Sequence, residues 1–152
     1  MSTPSLSHTY FASTLTAGSA LTEATDGGYA LLTQTAQITS TADGLPVSAT
    51  ITIPANAQIL NFFVDTITAP VAGGGTATTA PITIGTAAAG TQYLSATNIF
   101  SAGRASLSFT AAQLTSMLSV GTNTSVVATV DPNGTISTTQ GVFQVTVVYA
   151  MK

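Results

Sequence analysis

The segment VSATITIP, residues 47–54, decides how the rest of the chain is read. Val47, Ala49, Ile51 and Ile53 alternate with Ser48, Thr50 and Thr52. Successive side chains of an extended chain point to opposite faces, so strict alternation describes a strand with one face in a core and one face in water. The neighbours repeat the pattern. In YALLTQTAQIT (29–39), Leu32, Gln34, Ala36 and Ile38 share one side, and in GVFQVTVVYA (141–150), Phe143, Val145, Val147 and Tyr149 do the same. ITIGT (82–86) and SVVATV (125–130) are further short β-branched runs.

ILNFFVDTI (59–67) is apolar on both sides. Regular alternation puts Leu60, Phe62 and Val64 on one face and Ile59, Phe63 and Ile67 on the other, interrupted by Asn61 and Asp65. A strand apolar on both faces has a partner on each. GRASLSFT (103–110) sets Ala105, Leu107 and Phe109 against Ser106, Ser108 and Thr110. The period then changes. Thr110 and Gln113 have the spacing of a capping box, Leu114, Met117 and Leu118 recur at helical spacing, and Gly121 suits the helix end.

ADGLP (42–46), the Gly- and Thr-rich APVAGGGTATTAP (69–81) and DPNG (131–134) separate these runs. DPNG fits a type I turn with Gly134 at positive φ. Seven or so short strands at regular spacing and one short helix predict an all-β, antiparallel β-sandwich or jelly-roll-like domain. Residues 1–28, rich in Ser, Thr, Ala and Gly, are expected to form an extended N-terminal arm, leaving residues 29–152 as a single β-sandwich domain.

Composition narrows function. Of 152 residues, 45% are hydrophobic and only 5% are Asp, Glu, Lys or Arg, against about 25% in ordinary domains. The surface must therefore be Thr, Ser, Asn, Gln and Gly, which suits a chain covered by partners or carried by an assembly. The cations are Arg104 and Lys152, with His8 the single histidine. Phosphate backbones and anionic membranes are bound by clustered Lys and Arg, so no nucleic-acid or membrane partner is expected. With no cysteine there is neither disulfide nor thiolate metal site. The opening MSTPSLSHTYFASTLTAGSA lacks a basic start and a long apolar run and is not read as a secretory signal.

Catalysis has little to work with. Asp26, Asp43 and Asp131 sit in Gly- or Pro-containing turns, where Asp bonds local backbone. His8 has no metal-ligating neighbours. GTAAAG (85–90) has the spacing of a phosphate loop, but Thr91 stands where Lys is required, so a strand-to-loop turn is expected. NTS (123–125) and NGT (133–135) mark loops. Neither a catalytic, a cofactor-binding nor a metal-binding residue is assigned, and no cofactor is expected. Asp65, mid-strand, is expected to guard an edge or to meet Arg104 at a subunit contact. Ile59, Phe63, Ile67, Asp65 and Arg104 form the candidate oligomer or capsid interface. Tyr10, Tyr29 and Tyr93 lie outside the inward-facing sets and keep a carbohydrate-recognition role open.

IPANAQILNFFVDTITA, ITIGTAAAGTQYLSATNIFSAGR and VVATVDPNGTISTTQGVFQVTVVYA together resemble small structural proteins of tailed bacteriophages, of the capsid decoration (cement) or head-fibre type. The resemblance spans Val47 to Ala150 and rests on an IPA turn into a strand, an IGT strand and loop, an AGR turn and a final hairpin. It implies a β-sandwich that forms a homo-oligomer, often a trimer. It places that oligomer on the virion exterior where major capsid protein subunits meet, after synthesis in the bacterial host cytoplasm and without a cofactor. The alternative is a fibre or receptor-binding module for a host glycan or surface protein.

Overall fold

The computed structural model describes residues 30–71, 74–136 and 139–151. The expected arm at 1–28 lies outside them, as do His8, Glu23, Asp26, Tyr10, Tyr29 and Lys152. Eight strands and one helix follow in the described residues: β1 (Ala30–Thr39), β2 (Val47–Thr52), β3 (Gln58–Thr68), β4 (Pro81–Gly85), β5 (Leu94–Asn98), β6 (Gly103–Arg104), α1 (Ala111–Met117), β7 (Ser125–Val130) and β8 (Val142–Met151).

Two antiparallel four-stranded sheets result, in the orders β1-β8-β3-β6 and β2-β7-β4-β5. Successive strands alternate between the two sheets except β4 and β5, which pair with each other in one sheet, and the last strand returns between the first and the third. This is the double Greek-key wiring of a jelly roll. Between the sheets lie Ile38, Ile51, Phe62, Val64, Ile82, Leu94, Val126, Phe143, Val145 and Val147, all buried. The alternations predicted for β1, β2 and β8 hold: Ile38, Ile51 and the set Phe143, Val145, Val147 and Tyr149 face inward. Phe62 ties the layers together, its ring centroid 6.1 Å from that of Tyr93 and 6.5 Å from that of Phe109.

β3 departs from its predicted alternation. Its register with β8 slips between Ile59 and Asn61 and again between Thr66 and Thr68. The first bulge gives β3 one extra residue, which reverses the parity of everything before it. Ile59 consequently turns inward with Phe62, Val64 and Thr66 and is 3% exposed, whereas Leu60 turns out at 44%. The expected placement of Ile59 on the outer face with Phe63 is thus corrected. Asn61 marks the spot: its Oδ1 accepts the Phe62 N–H at 2.8 Å, replacing a bond that a flanking strand would have made.

GRASLSFT is strand only at Gly103–Arg104, and beyond Ala105, whose N–H donates to the Val64 carbonyl at 2.9 Å, the chain stays extended without a ladder. The capping box on α1 forms in both directions, Thr110 Oγ1 with the Gln113 N–H and Gln113 Oε1 with the Thr110 N–H. The expected apolar face of α1 is only partly used. Met117 is buried, but Leu114 and Leu118 are exposed. Gln113 takes the inner position instead, since its Nε2 donates to the Thr91 carbonyl at 3.1 Å and to Ser95 Oγ at 2.9 Å. A buried amide with all its groups paired is tolerated. The helix stops at Leu118, before Gly121, whose φ of 60° shapes the following turn. No helix among the described residues is long and apolar enough to cross a membrane.

DPNG also turns more tightly than expected: the Gly134 N–H donates to the Pro132 carbonyl at 3.0 Å, two residues back. Gly134 has a φ of 111°, and a Cβ there would lie 2.4 Å from Thr76 Oγ1 and 2.9 Å from the Ala77 nitrogen. Three loops meet at this end of the sandwich, with the Ile136 N–H on the Ala42 carbonyl and the Thr76 N–H on the Thr135 carbonyl.

The bulge is tested by thermal and denaturant unfolding of two neighbouring variants. Ile59→Ala is expected to cost about 2–5 kcal/mol, as for a core deletion. Leu60→Ala is expected to stay within about 0.5 kcal/mol. Equal losses at the two positions would contradict the register described.

Candidate binding face

The outer face of the β1-β8-β3-β6 sheet follows from the register. Across β1, β8 and β3 its rows are Leu31, Ala150 and Gln58; Thr33, Val148 and Asn61; and Thr35, Thr146 and Phe63. Next come Gln37, Gln144 and Asp65, and then Thr39 and Val142 with Thr68. β6 extends the fourth row, pairing Arg104 with Asp65. The surface is hydroxyl- and amide-rich, and its two charges, Asp65 and Arg104, cancel. Thr35 and Thr146 share a hydroxyl hydrogen bond at 2.9 Å across two strands. Cross-strand pairs of this kind stiffen a sheet without charge.

Its most exposed large apolar groups, Leu31, Leu60 and Ile67, lie towards the two ends, with Val148 and Phe63 between them. Leu31, Gln58, Leu60 and Ala150 line an open cleft of about 340 Å³ at the end that carries α1. Leu31 is 67% exposed, and at the other end Ile67, outward by the alternation it shares with Phe63 and Asp65, is 57% exposed.

The charges of the face neutralise each other. Arg104 Nε donates to Asp65 Oδ1 at 2.8 Å and Nη2 to Oδ2 at 3.0 Å. This bidentate geometry matches the planar fork to the carboxylate. The guanidinium carbon also sits 4.7 Å from the centroid of the Phe63 ring, a cation–π distance. Three of the five residues predicted as an interface therefore converge: Phe63, Asp65 and Arg104. Ile67 is exposed farther along β3, and Ile59 is in the core. Leu60 is hidden from regular alternation by the bulge, for which Asn61 within an apolar run is the available signal; Leu31 faces outward by the unbroken alternation of β1 opposite Leu32 and Gln34.

Asp65 and Arg104 meet within one chain rather than across a subunit contact. β6 covers β3 for only two residues, at Asp65 and Thr66, so β3 is close to a free edge along the remainder of its length. The donating Arg104 fork is the main reason the Asp65 carboxyl is held below the usual carboxylate range, and the same bonds push the Arg104 guanidinium up.

The remaining candidates are absorbed by local structure. The Thr41 hydroxyl beside Asp43 lowers its carboxyl in the turn. The GTAAAG loop spends its amides internally, the Thr86 N–H on Gln92 Oε1 at 3.2 Å and the Ala89 N–H on Thr129 Oγ1 at 2.8 Å. Its two glycines close the loop, since a Cβ on Gly85 would lie 2.5 Å from the Gly90 carbonyl carbon. Tyr93 and Tyr149 are both buried. Tyr149 accepts from Gln34 Nε2 at 3.0 Å, and burial raises the Tyr93 hydroxyl. No group of three or more metal-ligating side chains occurs among the described residues.

No family model and no curated protein matches the chain. Among solved structures, it is similar in fold to a chain of the cyanophage Pam1 capsid asymmetric unit, with a TM-score of 0.57 and 17% identity. The match covers 93% of this chain and 100% of that one.

The ion pair has a pH signature. A carboxyl depressed in the folded state adds stability above its unfolded pKa, about 3.9, and loses it as pH falls through the folded value. Melting curves followed by circular dichroism are expected to show wild type above Arg104→Gln at pH 6, with the gap closing as pH falls below the unfolded carboxyl value and through the lower folded one. Both groups are partly exposed, so the gap is small and shrinks with added salt. A gap unchanged at pH 2 would place its origin elsewhere than Asp65.

Proposed function

We propose that this chain is a non-enzymatic structural protein of a bacteriophage virion that binds the capsid exterior as a decoration protein. The observation that carries the reading is the internally neutral, hydroxyl- and amide-rich outer face of the β1-β8-β3-β6 sheet. Such a surface adheres through shape and distributed contact. Few ionised groups have to be stripped of water when it is covered. Attachment of many copies to an ordered shell is multivalent, so each contact can be modest. The likeness to a chain of a cyanophage capsid asymmetric unit, over its entire length, supports the same reading.

In this reading the partner is the major capsid protein, and the free protein is a homo-oligomer, with a trimer favoured. Residues 1–28 supply additional contact with a neighbouring subunit. A fibre or receptor-binding module for glycans would present aromatic rings to its ligand. The burial of Tyr93 and Tyr149 weighs against that alternative.

Purified full-length protein mixed with capsids that lack it is expected to co-sediment and to appear as exterior density by electron microscopy. Phe63→Asp puts a charge in the middle of the face and is expected to weaken binding by tenfold or more, about 1.4 kcal/mol. The mass of the free protein, from analytical ultracentrifugation, reports the oligomer. A wild-type monomer that ignores capsids would end this reading.

A further inference from the structure

The geometry points to Arg104 as the recognition anchor of the binding face, a fixed guanidinium fork that takes a carboxylate on the capsid surface. This rests on the capsid-binding reading above and names the chemistry of the contact.

Arg104 is the single cation among the described residues, and its side chain is 61% exposed. A long cationic side chain at such exposure is ordinarily free to sample many rotamers, and ordering it on binding costs free energy. Here the ordering is already done. Asp65 holds Nε and Nη2 from the side, and the Phe63 ring supports the guanidinium plane at 4.7 Å. The backbone contributes as well. Gly103 has a φ of 109°, a conformation that L side chains rarely adopt, and a Cβ there would meet nothing within 4 Å. The glycine therefore serves backbone shape rather than space, and it sets the turn from which Arg104 reaches back over β3.

A guanidinium carries five N–H donors. Asp65 takes two of them, and among the described residues no other acceptor bonds to Arg104. The Nη1 pair and the second Nη2 hydrogen remain, and one hydrogen from each nitrogen forms a second fork. Two parallel donors match the two oxygens of a carboxylate better than any single carbonyl. The ligand class is accordingly an Asp or Glu side chain of the shell. Asp65 is the positioning residue, acting through Arg104. In the same row Gln37 and Gln144 are neutral, so the one charge facing an incoming anion is that of Asp65, already bonded to the opposite edge of the guanidinium.

The test measures binding of full-length variants to capsids lacking the protein, with the capsid carboxylates either untreated or amidated. Arg104→Gln and Arg104→Lys are both expected to bind untreated capsids at least about tenfold more weakly than wild type, because lysine keeps the charge but not the fork. Amidation is expected to bring wild type down to the Arg104→Gln level and to leave Arg104→Gln unchanged. Asp65→Asn is expected to bind less tightly than wild type but still to respond to amidation. Circular dichroism of each variant confirms that it folds. Arg104→Lys binding like wild type, or amidation weakening Arg104→Gln as much as wild type, would overturn the assignment while leaving capsid binding intact. Wild type that fails to bind untreated capsids would overturn both.

Discussion

The fold depends on where the last strand goes. β8 pairs with β1 along ten residues on one side and with β3 on the other, so the C-terminal segment is the middle of its sheet. Its inward residues, Phe143, Val145, Val147 and Tyr149, are all buried. The sheet thus closes only when residues far apart in sequence meet, which makes this a topology dominated by non-local pairing. The same strand supplies Thr146, Val148 and Ala150 to the centre of the outer face. Core and binding surface are two sides of one strand.

With so few charges, the molecule solves with neutral groups problems that other proteins solve with ions. Edges are blunted by side chains that bond their own backbone, Asn61 on the Phe62 N–H and Thr97 on the Ser95 carbonyl. Loops are fixed by hydroxyls and amides: Gln92 and Thr129 hold the GTAAAG turn, and Asn98 Oδ1 accepts from Ala80 and Phe100. No buried side-chain polar atom among the described residues lacks a partner. Unpaired buried polar groups are costly, and this economy of bonding lets Ser, Thr, Asn and Gln take the structural place of Asp, Glu, Lys and Arg.

Among the described residues one ion pair is kept, on the outer face and beside an aromatic ring. It is worth little as an exposed pair. Its consequence is positional: it converts Arg104 from a mobile chain into a fixed feature of an otherwise bland surface. Neutral breadth supplies adhesion, and a single fixed fork supplies register. Both follow from the placement of β6 against β3 at Asp65.

Sequence alone determined the class of fold, because period-2 alternation in β1, β2 and β8 states which side of each strand is wet. It also determined the capping box of α1, which depends on two residues three apart, and the poverty of chemistry, which is a matter of counting. It did not determine the outer face. There, the first bulge in β3 exchanges Ile59 for Leu60, and a bulge is set by pairing with β8 rather than by β3 itself. Likewise, Leu114 and Leu118 read as core by spacing, yet Gln113 is buried beside Met117 instead, because Thr91 and Ser95 stand where they can pair its amide. Phe63, Asp65 and Arg104 could be named from sequence, but only the tertiary structure brings residues 39 positions apart into one bidentate contact. Periodicity is local and legible; register and cross-strand neighbours are properties of two segments at once, and no single segment encodes them.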